Sequence, residues 1–246
     1  MQSVNVLCIK WGRKYGPDYV NRLHSMVRRH LRRPFRFVCL TDDGTGIDPA
    51  IEVKPIPAIG FAEFDDREPW TFGHGWLKLT SFADPLYDLT GTTLFLDLDI
   101  VIVDSLEPFF EHPGEFVVIK EWDKKDGTGN TSVYRFTIGA HADALDHLRQ
   151  GYPRVVDEVR NEQEFITGYL GRQGKVSYWP DEWCRSFKRH CMRRGLMNWF
   201  APPVIPPGAR VIAFHGKPNP PDAIAGVSGK WYRRVLPTPW VAEHWR

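Results

Sequence analysis

The N-terminal part of the chain contains two apolar runs with a segment of helical periodicity between them, and this pattern restricts the possible folds most strongly. The runs are Val4 to Lys10 and Phe35 to Leu40. Between them, apolar residues recur every three or four positions from about Asp18 to Leu31, which is typical of one face of an α-helix. Pro34 ends this helix. A strand, a helix and a second strand in this order predict a parallel strand pair and an α/β fold.

The remaining chain alternates in the same way. With 246 residues, 42% of them hydrophobic, it is long enough for one large core and requires no second domain. Residues 48–75 are rich in Pro, Gly and acids, so a short strand followed by a long loop is expected there. The tail after residue 214 is predicted to be irregular, with Trp231, Trp240 and Trp245 anchoring it to the domain surface. Further strands are predicted at Ile51 to Pro55, Thr92 to Leu96, Phe116 to Ile119, Ser132 to Phe136 and Val211 to Phe214, and Val101 to Val103 is expected to continue the strand Thr92 to Leu96 after a bend. Further helices are predicted at Trp76 to Tyr87, Ala142 to Gln150 and Asn161 to Leu170.

The overall charge is nearly balanced, which argues against a highly charged partner such as a nucleic acid. The chain has 32 basic and 30 acidic residues, so we expect no nucleic-acid partner. The basic clusters Arg28 to Arg33 and Lys188 to Arg194 are read as solvated faces, with contact to an anionic acceptor or a lipid surface as the alternative.

The absence of a membrane-spanning segment in the sequence and the pattern of its cysteines both favour a cytoplasmic protein. No segment has the roughly 20 apolar residues that a membrane-spanning helix needs, and residues 1–11 read as a strand and not as a signal peptide. We therefore expect a cytoplasmic protein with at most peripheral membrane contact, its oligomeric state left open. Its four cysteines are interpreted as structural thiols, with Cys184 and Cys191 on one helix.

Asp97 and Asp99 provide the strongest chemical signal. They follow the apolar strand Thr92 to Leu96 with one residue between them, so both face the same side of a strand. Carboxylates beside a buried strand are unfavourable without a partner, and a divalent cation is a common partner. On a straight strand the two acids would be about 6 to 7 Å apart, so joint binding requires a local bend or a bridging water. The alternative interpretation is that the acids simply end the strand.

Several short segments, in their order along the chain, resemble bacterial metal-dependent glycosyltransferases of the GT-A fold, in particular family 8 enzymes of the glycogenin and lipopolysaccharide galactosyltransferase type. The resemblance implies an α/β domain with a Rossmann-like, mixed and mostly parallel central sheet flanked by helices. It also implies that residues 1–105 bind the nucleotide and residues 106–246 the sugar and acceptor. The segments are Ile9 to Gly12 with Tyr15, Cys39 to Asp43, Trp76 to Leu79, Asp97 to Asp99, Asn130 to Val133, Asn161 to Gln163, and Phe214 to Pro218.

The resemblance assigns a metal site. It implies that His215 joins Asp97 and Asp99 on Mn²⁺, and that Lys217 contacts the donor diphosphate. Mixed imidazole and carboxylate ligands suit Mn²⁺, with Mg²⁺ as the alternative. This sequence departs from the family in the spacing from His215 to Lys217 and in lacking a Trp after Pro218.

The same resemblance implies the residues that bind the donor nucleotide. Lys78 is expected near the donor phosphates, and Asp42 near a uracil-like base packed beside Trp11 or Tyr15. The alternatives are a solvated helix lysine for Lys78 and an ordinary Asp-Asp-Gly turn for Asp42.

Other matched residues are expected to surround the donor sugar. Asn130 and Ser132 lie in a segment that matches the sugar pocket of the family. Gln163 matches the residue on the reactive face of the sugar, and Glu162 the acid that binds its hydroxyls. The alternative for Glu162 is an acid in the first turn of a helix, where the helix dipole favours it.

The expected reaction is transfer of a sugar, of hexose type, from a nucleotide-sugar, expected to be a UDP-sugar, to an unknown carbohydrate, lipid or protein hydroxyl. The metal would neutralise the departing diphosphate. The family implies retention of configuration, whereas Glu162 or Asp181 as general base would give inversion. Two other classes stay open: a binding protein of the same fold without turnover, and a haloacid-dehalogenase-type phosphatase, whose motif needs Gly-Thr where Ile100 and Val101 stand.

Overall fold

The computed structural model describes residues 3–61, 74–124, 126–193, 195–228 and 234–246. In these residues a seven-stranded sheet has the order β3-β2-β1-β4-β7-β6-β8, and a smaller three-stranded sheet has the order β5-β10-β9. The strands are β1 Val4–Lys10, β2 Phe35–Thr41, β3 Glu52–Pro55, β4 Thr92–Leu96, β5 Ile100–Ile102, β6 Phe116–Lys120, β7 Gly129–Thr137, β8 Val176–Tyr178, β9 Cys184–Ser186 and β10 Val211–Ala213.

The large sheet is mixed and mostly parallel, as the resemblance predicted. Strand β1 lies between β2 and β4 and is parallel to both. Strands β2 and β3 are also parallel, as are β6 and β8, whereas β7 is antiparallel to its neighbours β4 and β6. All seven residues of β1 are buried, because helices and turns cover both faces of the sheet.

Helices pack on both faces of this sheet. The α-helices are α1 Pro17–His30, α2 Glu107–Glu111, α3 Ala142–Gly151, α4 Arg154–Glu158, α5 Glu162–Arg172, α6 Pro220–Ala225 and α7 Pro239–His244, with 3-10 helices at His74–Phe82 and Gly195–Trp199 and a π-helical turn at Phe187–Cys191. One apolar cluster joins α1 to one face of the sheet and to the small sheet. A second cluster joins α3, α5 and the first 3-10 helix to the opposite face.

Some sequence predictions of local structure are wrong. The segment around Val101 does not continue β4, because the chain turns at Leu98 and Asp99 and enters the small sheet as β5. The helix predicted to reach Tyr87 is a 3-10 helix that ends at Phe82. The first difference follows from the pairing of residues 100–102 with β10, which draws this segment away from the large sheet.

The C-terminal part is more regular than predicted. The tail contains two short helices, α6 and α7, and Trp245 packs edge-on against Tyr19 with ring centroids 5.0 Å apart. Cys184 lies on β9 and Cys191 in the π-helical turn, so the single helix expected to carry both is wrong. All four cysteines are buried free thiols, as predicted. Trp231 and most of the long loop fall outside the described residues.

Phe82 is expected to be a major contributor to stability. It is 2% exposed, and its ring meets Phe136 at a centroid distance of 5.0 Å and Tyr134 at 5.9 Å. Removing a buried aromatic ring leaves a cavity, so F82A should lower the free energy of unfolding by about 3–5 kcal/mol in urea denaturation. The matched control F200A removes a ring that is 81% exposed and should change stability by less than about 0.5 kcal/mol. Equal losses would contradict the packing described.

Candidate functional site

The candidate site lies at the carboxyl edge of the large sheet. Trp11 follows β1, Asp42 follows β2 and Asp97 follows β4, so parallel strands bring them to the same edge. Asp42 is exposed, and its Oδ2 accepts a hydrogen bond of 2.8 Å from the backbone N–H of Gly12. Asp42 therefore joins the turns after the first two strands.

A pocket of about 440 Å³ opens at this edge. This volume lies within the range of small-molecule sites, about 300–1,000 Å³. The pocket brings together aromatic, basic and acidic residues from three segments of the chain, residues 9–15, 75–78 and 97–99. Its lining consists of Ile9, Trp11, Lys14, Tyr15, Gly75, Lys78, Asp97, Leu98 and Asp99.

Asp97 and Asp99 lie at the junction of the two sheets. The backbone N–H of Asp97 donates to the carbonyl of Ser132 at 2.9 Å, which continues the pairing of β4 with β7. The carbonyl of Asp99 accepts from the N–H of Phe214 at 2.9 Å, which begins the pairing of β5 with β10. The two acids therefore flank a turn at Leu98 and do not lie on one straight strand.

Lys78 forms an ion pair with Asp97. Its Nζ lies 2.7 Å from Oδ1 and 2.8 Å from Oδ2 of Asp97, and 3.8 Å from Oε1 of Glu162. Side-chain exposure is only 12% for Lys78, 17% for Asp97 and 11% for Glu162. Burial lowers the pKa of Lys78, but Asp97 and Glu162 outweigh it, so the pKa is raised and the ammonium stays charged.

Among the described residues, the side-chain hydrogen-bond donor to the Asp99 carboxylate is a neutral hydroxyl. The hydroxyl of Tyr15 donates to Oδ2 of Asp99 at 2.7 Å. Burial and the nearby charge of Asp97 raise the pKa of Asp99 to about 6. Burial and the Asp99 carboxylate also raise the pKa of Tyr15, which keeps its hydroxyl protonated. Negative charge is therefore concentrated at this wall, where it is favourable for a cation to bind.

Glu162 lies beside the pocket at the start of α5. It is 8% exposed, and its Oε1 accepts a hydrogen bond of 3.2 Å from Thr131 Oγ1. Gly75 faces it closely, because a Cβ added to Gly75 would lie 2.0 Å from Oε2 of Glu162. The missing side chain at position 75 therefore provides the space for this carboxylate.

Glu121 is a residue that the sequence reasoning missed. It follows β6, which runs in the same direction as β4, so it reaches the same edge of the sheet. Its Oε2 accepts from Asn130 Nδ2 at 3.2 Å and from Gln163 Nε2 at 3.5 Å. The Oδ1 of Asn130 in turn accepts from the backbone N–H of Ser132 at 3.0 Å. An acid directly after an apolar strand, the signal that identified Asp97, would have identified Glu121.

His215 and Lys217 follow strand β10. The ring of His215 stacks on Trp122 with centroids 5.7 Å apart, and its Nε2 is 2.7 Å from Ser186 Oγ. Its carbonyl accepts a hydrogen bond from Lys188. His215 directly follows Phe214, whose N–H is bonded to Asp99, so its backbone borders the acid pair. Lys217 is exposed.

The described residues divide the predicted site into adjoining groups. The pocket itself contains Trp11, Tyr15, Lys78 and the two aspartates, and Glu162 joins it through Lys78. Asn130, Ser132 and Gln163 belong to the network around Glu121. In the parts of the chain described above, no cluster of three or more His, Cys, Asp or Glu side chains is arranged to hold a metal ion. The Asp97 and Asp99 carboxylates are hard oxygen donors of the kind that Mg²⁺ and Mn²⁺ accept, and therefore fit such an ion.

Comparison with known proteins supports the fold. Neither protein-family models nor curated protein sequences match this chain. It is similar to the solved structure of the galactosyltransferase LgtC in complex with donor and acceptor sugar analogues, with a TM-score of 0.60, 14% identity and 88% of each chain covered. An active-site mutant of LgtC gives a TM-score of 0.57 at 14% identity, over 88% of this chain and 89% of the other. The chain therefore has the GT-A fold, as the sequence resemblance predicted.

Among the helices described, none has the length and apolar character needed to cross a membrane.

Gly75 should be required for the position of Glu162. The variant G75A forces a methyl group against the buried carboxylate, so we expect a loss of about 1–3 kcal/mol in the free energy of unfolding, measured in urea. The double variant G75A/E162A should recover part of this loss, because the clashing group is gone.

A glycine on α5 provides the control for this prediction. A Cβ at Gly171 would meet nothing within 4 Å, so G171A should stabilise the helix by about 0.5–1 kcal/mol. Additive losses in the double variant would contradict the proposed contact between position 75 and Glu162.

The start of α5 should lose stability in acid. Lys124 and Arg160 hold the pKa of Glu164 at about 2, below its ordinary value of 4.5. Because the folded state lowers this pKa, the ion pairs stabilise the fold fully above about pH 4.5, and this stabilisation is lost as the pH falls toward 2. In urea unfolding, E164Q should be less stable than wild type at pH 7, and the difference should shrink steadily in acid. A pH-independent difference would contradict this explanation.

Proposed function

We propose that this protein is a metal-dependent glycosyltransferase that moves a sugar from a UDP-sugar to an acceptor hydroxyl with retention of configuration. The observation that carries the proposal is the pairing of Asp97 and Asp99 on the wall of a pocket that also contains Trp11 and Tyr15. Ligands of open α/β sheets bind at this carboxyl edge. The GT-A fold, shared with a galactosyltransferase solved with donor and acceptor sugar analogues, supports a nucleotide-sugar donor.

The proposed metal is Mn²⁺, with Mg²⁺ as the alternative, held by Asp97 and Asp99. Ions of this kind are often bound by one or two carboxylates together with substrate phosphates, so a two-carboxylate site is chemically sufficient. When bound, the metal would supply Lewis-acid neutralisation of the departing diphosphate. In this proposal His215 is a third ligand, because its backbone borders Asp99 through the Phe214 hydrogen bond.

Residues 1–105 are proposed to bind the nucleotide. The rings of Trp11 and Tyr15 offer apolar surface to a base, and Asp42 provides an exposed carboxylate next to them. Lys14 lines the same pocket and adds a positive charge suited to phosphate. The proposal also assigns Lys217 to the diphosphate, and it places Lys78 at the same end of the pocket, where its ammonium lies between Asp97 and Glu162.

Residues 106–246 are proposed to bind the sugar and the acceptor. The Glu121 carboxylate orients the amides of Asn130 and Gln163, and amides that are held in place recognise sugar hydroxyls with less loss of entropy. Ser132 and Glu162 border this network from the side of the metal pair. Retention is the outcome that the family resemblance implies, and a product of inverted configuration would instead point to a carboxylate base.

Metal-linked ligand binding tests the proposal. UDP at about 100 times its Kd should raise the Tm by roughly 5–10 °C in the presence of Mn²⁺. In excess EDTA the rise should disappear, because the ligand is bound through the metal. Differential scanning fluorimetry measures both conditions. An equal rise with and without metal would contradict the role of Asp99.

Matched variants separate the acid pair from ordinary surface charge. D99N removes one proposed ligand while preserving shape, and it should abolish the UDP-dependent rise in Mn²⁺. D157N changes an exposed acid on α4 and should behave like wild type. Incubation of wild type with UDP-sugars and Mn²⁺ should release UDP, whereas a binding protein would release none. Release of phosphate from an aryl phosphate would favour the phosphatase.

A further inference from the structure

Lys78 already engages the carboxylate that the proposed metal would use. Its ammonium lies within 2.8 Å of both oxygens of Asp97, so each oxygen has a cationic partner. Both side chains are largely buried, with exposures of 12% and 17%. A buried ion pair in an environment of low effective dielectric is much stronger than one in water. The negative charge of Asp97 is therefore already compensated by the Lys78 ammonium.

The two acids of the pair differ in this respect. Asp99 receives a neutral hydroxyl from Tyr15, while Asp97 receives a full positive charge from Lys78. A divalent ion that takes both acids must weaken the Lys78 to Asp97 contact and must also approach an ammonium of like charge. Both effects reduce the affinity for the metal below what two carboxylates alone would provide.

Lys78 has a second acid within reach. Oε1 of Glu162 is 3.8 Å from Nζ, and it is held in place by the hydroxyl of Thr131 at 3.2 Å. A small rotation of the flexible lysine side chain is enough to shift its ammonium from Asp97 toward Glu162. The ammonium can thus leave Asp97 and still have a charged partner inside the site.

We infer that Lys78 and the divalent metal compete for Asp97, and that Glu162 receives the lysine when the metal is bound. This inference rests on the proposed function and adds to it that the metal binds tightly only together with the nucleotide. Without nucleotide, the lysine keeps metal affinity low. With nucleotide, the phosphate oxygens supply the further ligands and negative charge that shift the competition toward the metal. Lys78 is in this sense a positioning residue for the metal site.

The direct test is binding of Mn²⁺ alone, in the absence of any nucleotide. Electron paramagnetic resonance of free Mn²⁺ gives the Kd for wild type and for K78M, which keeps an unbranched side chain one heavy atom shorter and removes its charge. Because the competitor is removed, K78M should bind Mn²⁺ roughly tenfold more tightly than wild type, a coupling of ordinary size for two linked sites. K54M removes a lysine that pairs with Asp88 at 3.6 Å at the far edge of the sheet, and it should leave the Kd unchanged.

Thermal melting gives a second readout that does not depend on activity. In EDTA, K78M should melt below wild type, because Asp97 loses the ammonium that lies 2.7 Å from its carboxylate. Saturating Mn²⁺ should raise the Tm of K78M by more than that of wild type. Loss of fold alone would lower the Tm in both conditions and would not improve metal binding.

The possible outcomes distinguish failure of the inferred competition from failure of the proposed function. If wild type binds Mn²⁺ and K78M binds it equally or more weakly, the competition is disproved and the proposed metal site survives. If neither binds Mn²⁺, with or without UDP, both the inference and the proposed function fail. Tighter binding by K78M and unchanged binding by K54M would support the competition.

Discussion

The site is dominated by the burial of several carboxylates at the carboxyl edge of the sheet. Asp97, Asp99 and Glu162 are largely withdrawn from water, and the ammonium of Lys78 and the hydroxyls of Tyr15 and Thr131 offset their charge. Burying charge is unfavourable unless partners are supplied, so the arrangement of Lys78 and Tyr15 is needed to keep the acids close together. The raised pKa of Asp99 shows that the compensation is incomplete.

The fold maintains this arrangement through backbone hydrogen bonds. Asp97 is tied to β7 through Ser132, and Asp99 is tied to β10 through Phe214, so each acid belongs to a different sheet. Buried Leu98 anchors the turn between them. The distance between the carboxylates therefore depends on the packing of two sheets and not on one strand.

The sequence predicted the elements better than it predicted their contacts. Strands β1 and β4 have the predicted bounds, because uninterrupted apolar runs identify buried strands. The same criterion failed for β5, since a short apolar run after a turn carries no information about which sheet it joins. Periodicity also cannot distinguish a 3-10 helix from an α-helix over nine residues, which explains the misjudged helix around Lys78.

Within the site, residues next to strand ends were predictable and residues paired across the fold were not. Asp97 and Trp11 lie where the ends of apolar runs indicate. The ion pair of Lys78 with Asp97 and the packing of Gly75 on Glu162 depend on side chains that only the folded chain brings together. The sequence contains the residues of these contacts but no local pattern that marks them.

The walls of the pocket come from segments that are distant along the polypeptide, from Trp11 to Asp99, with Glu162 beyond them. Such a cavity is absent from any short fragment and arises only after non-local strand pairing is complete. Binding of a small molecule in this pocket consequently requires that the whole sheet is formed. A substitution that disturbs a remote strand is therefore expected to lower the affinity for that ligand.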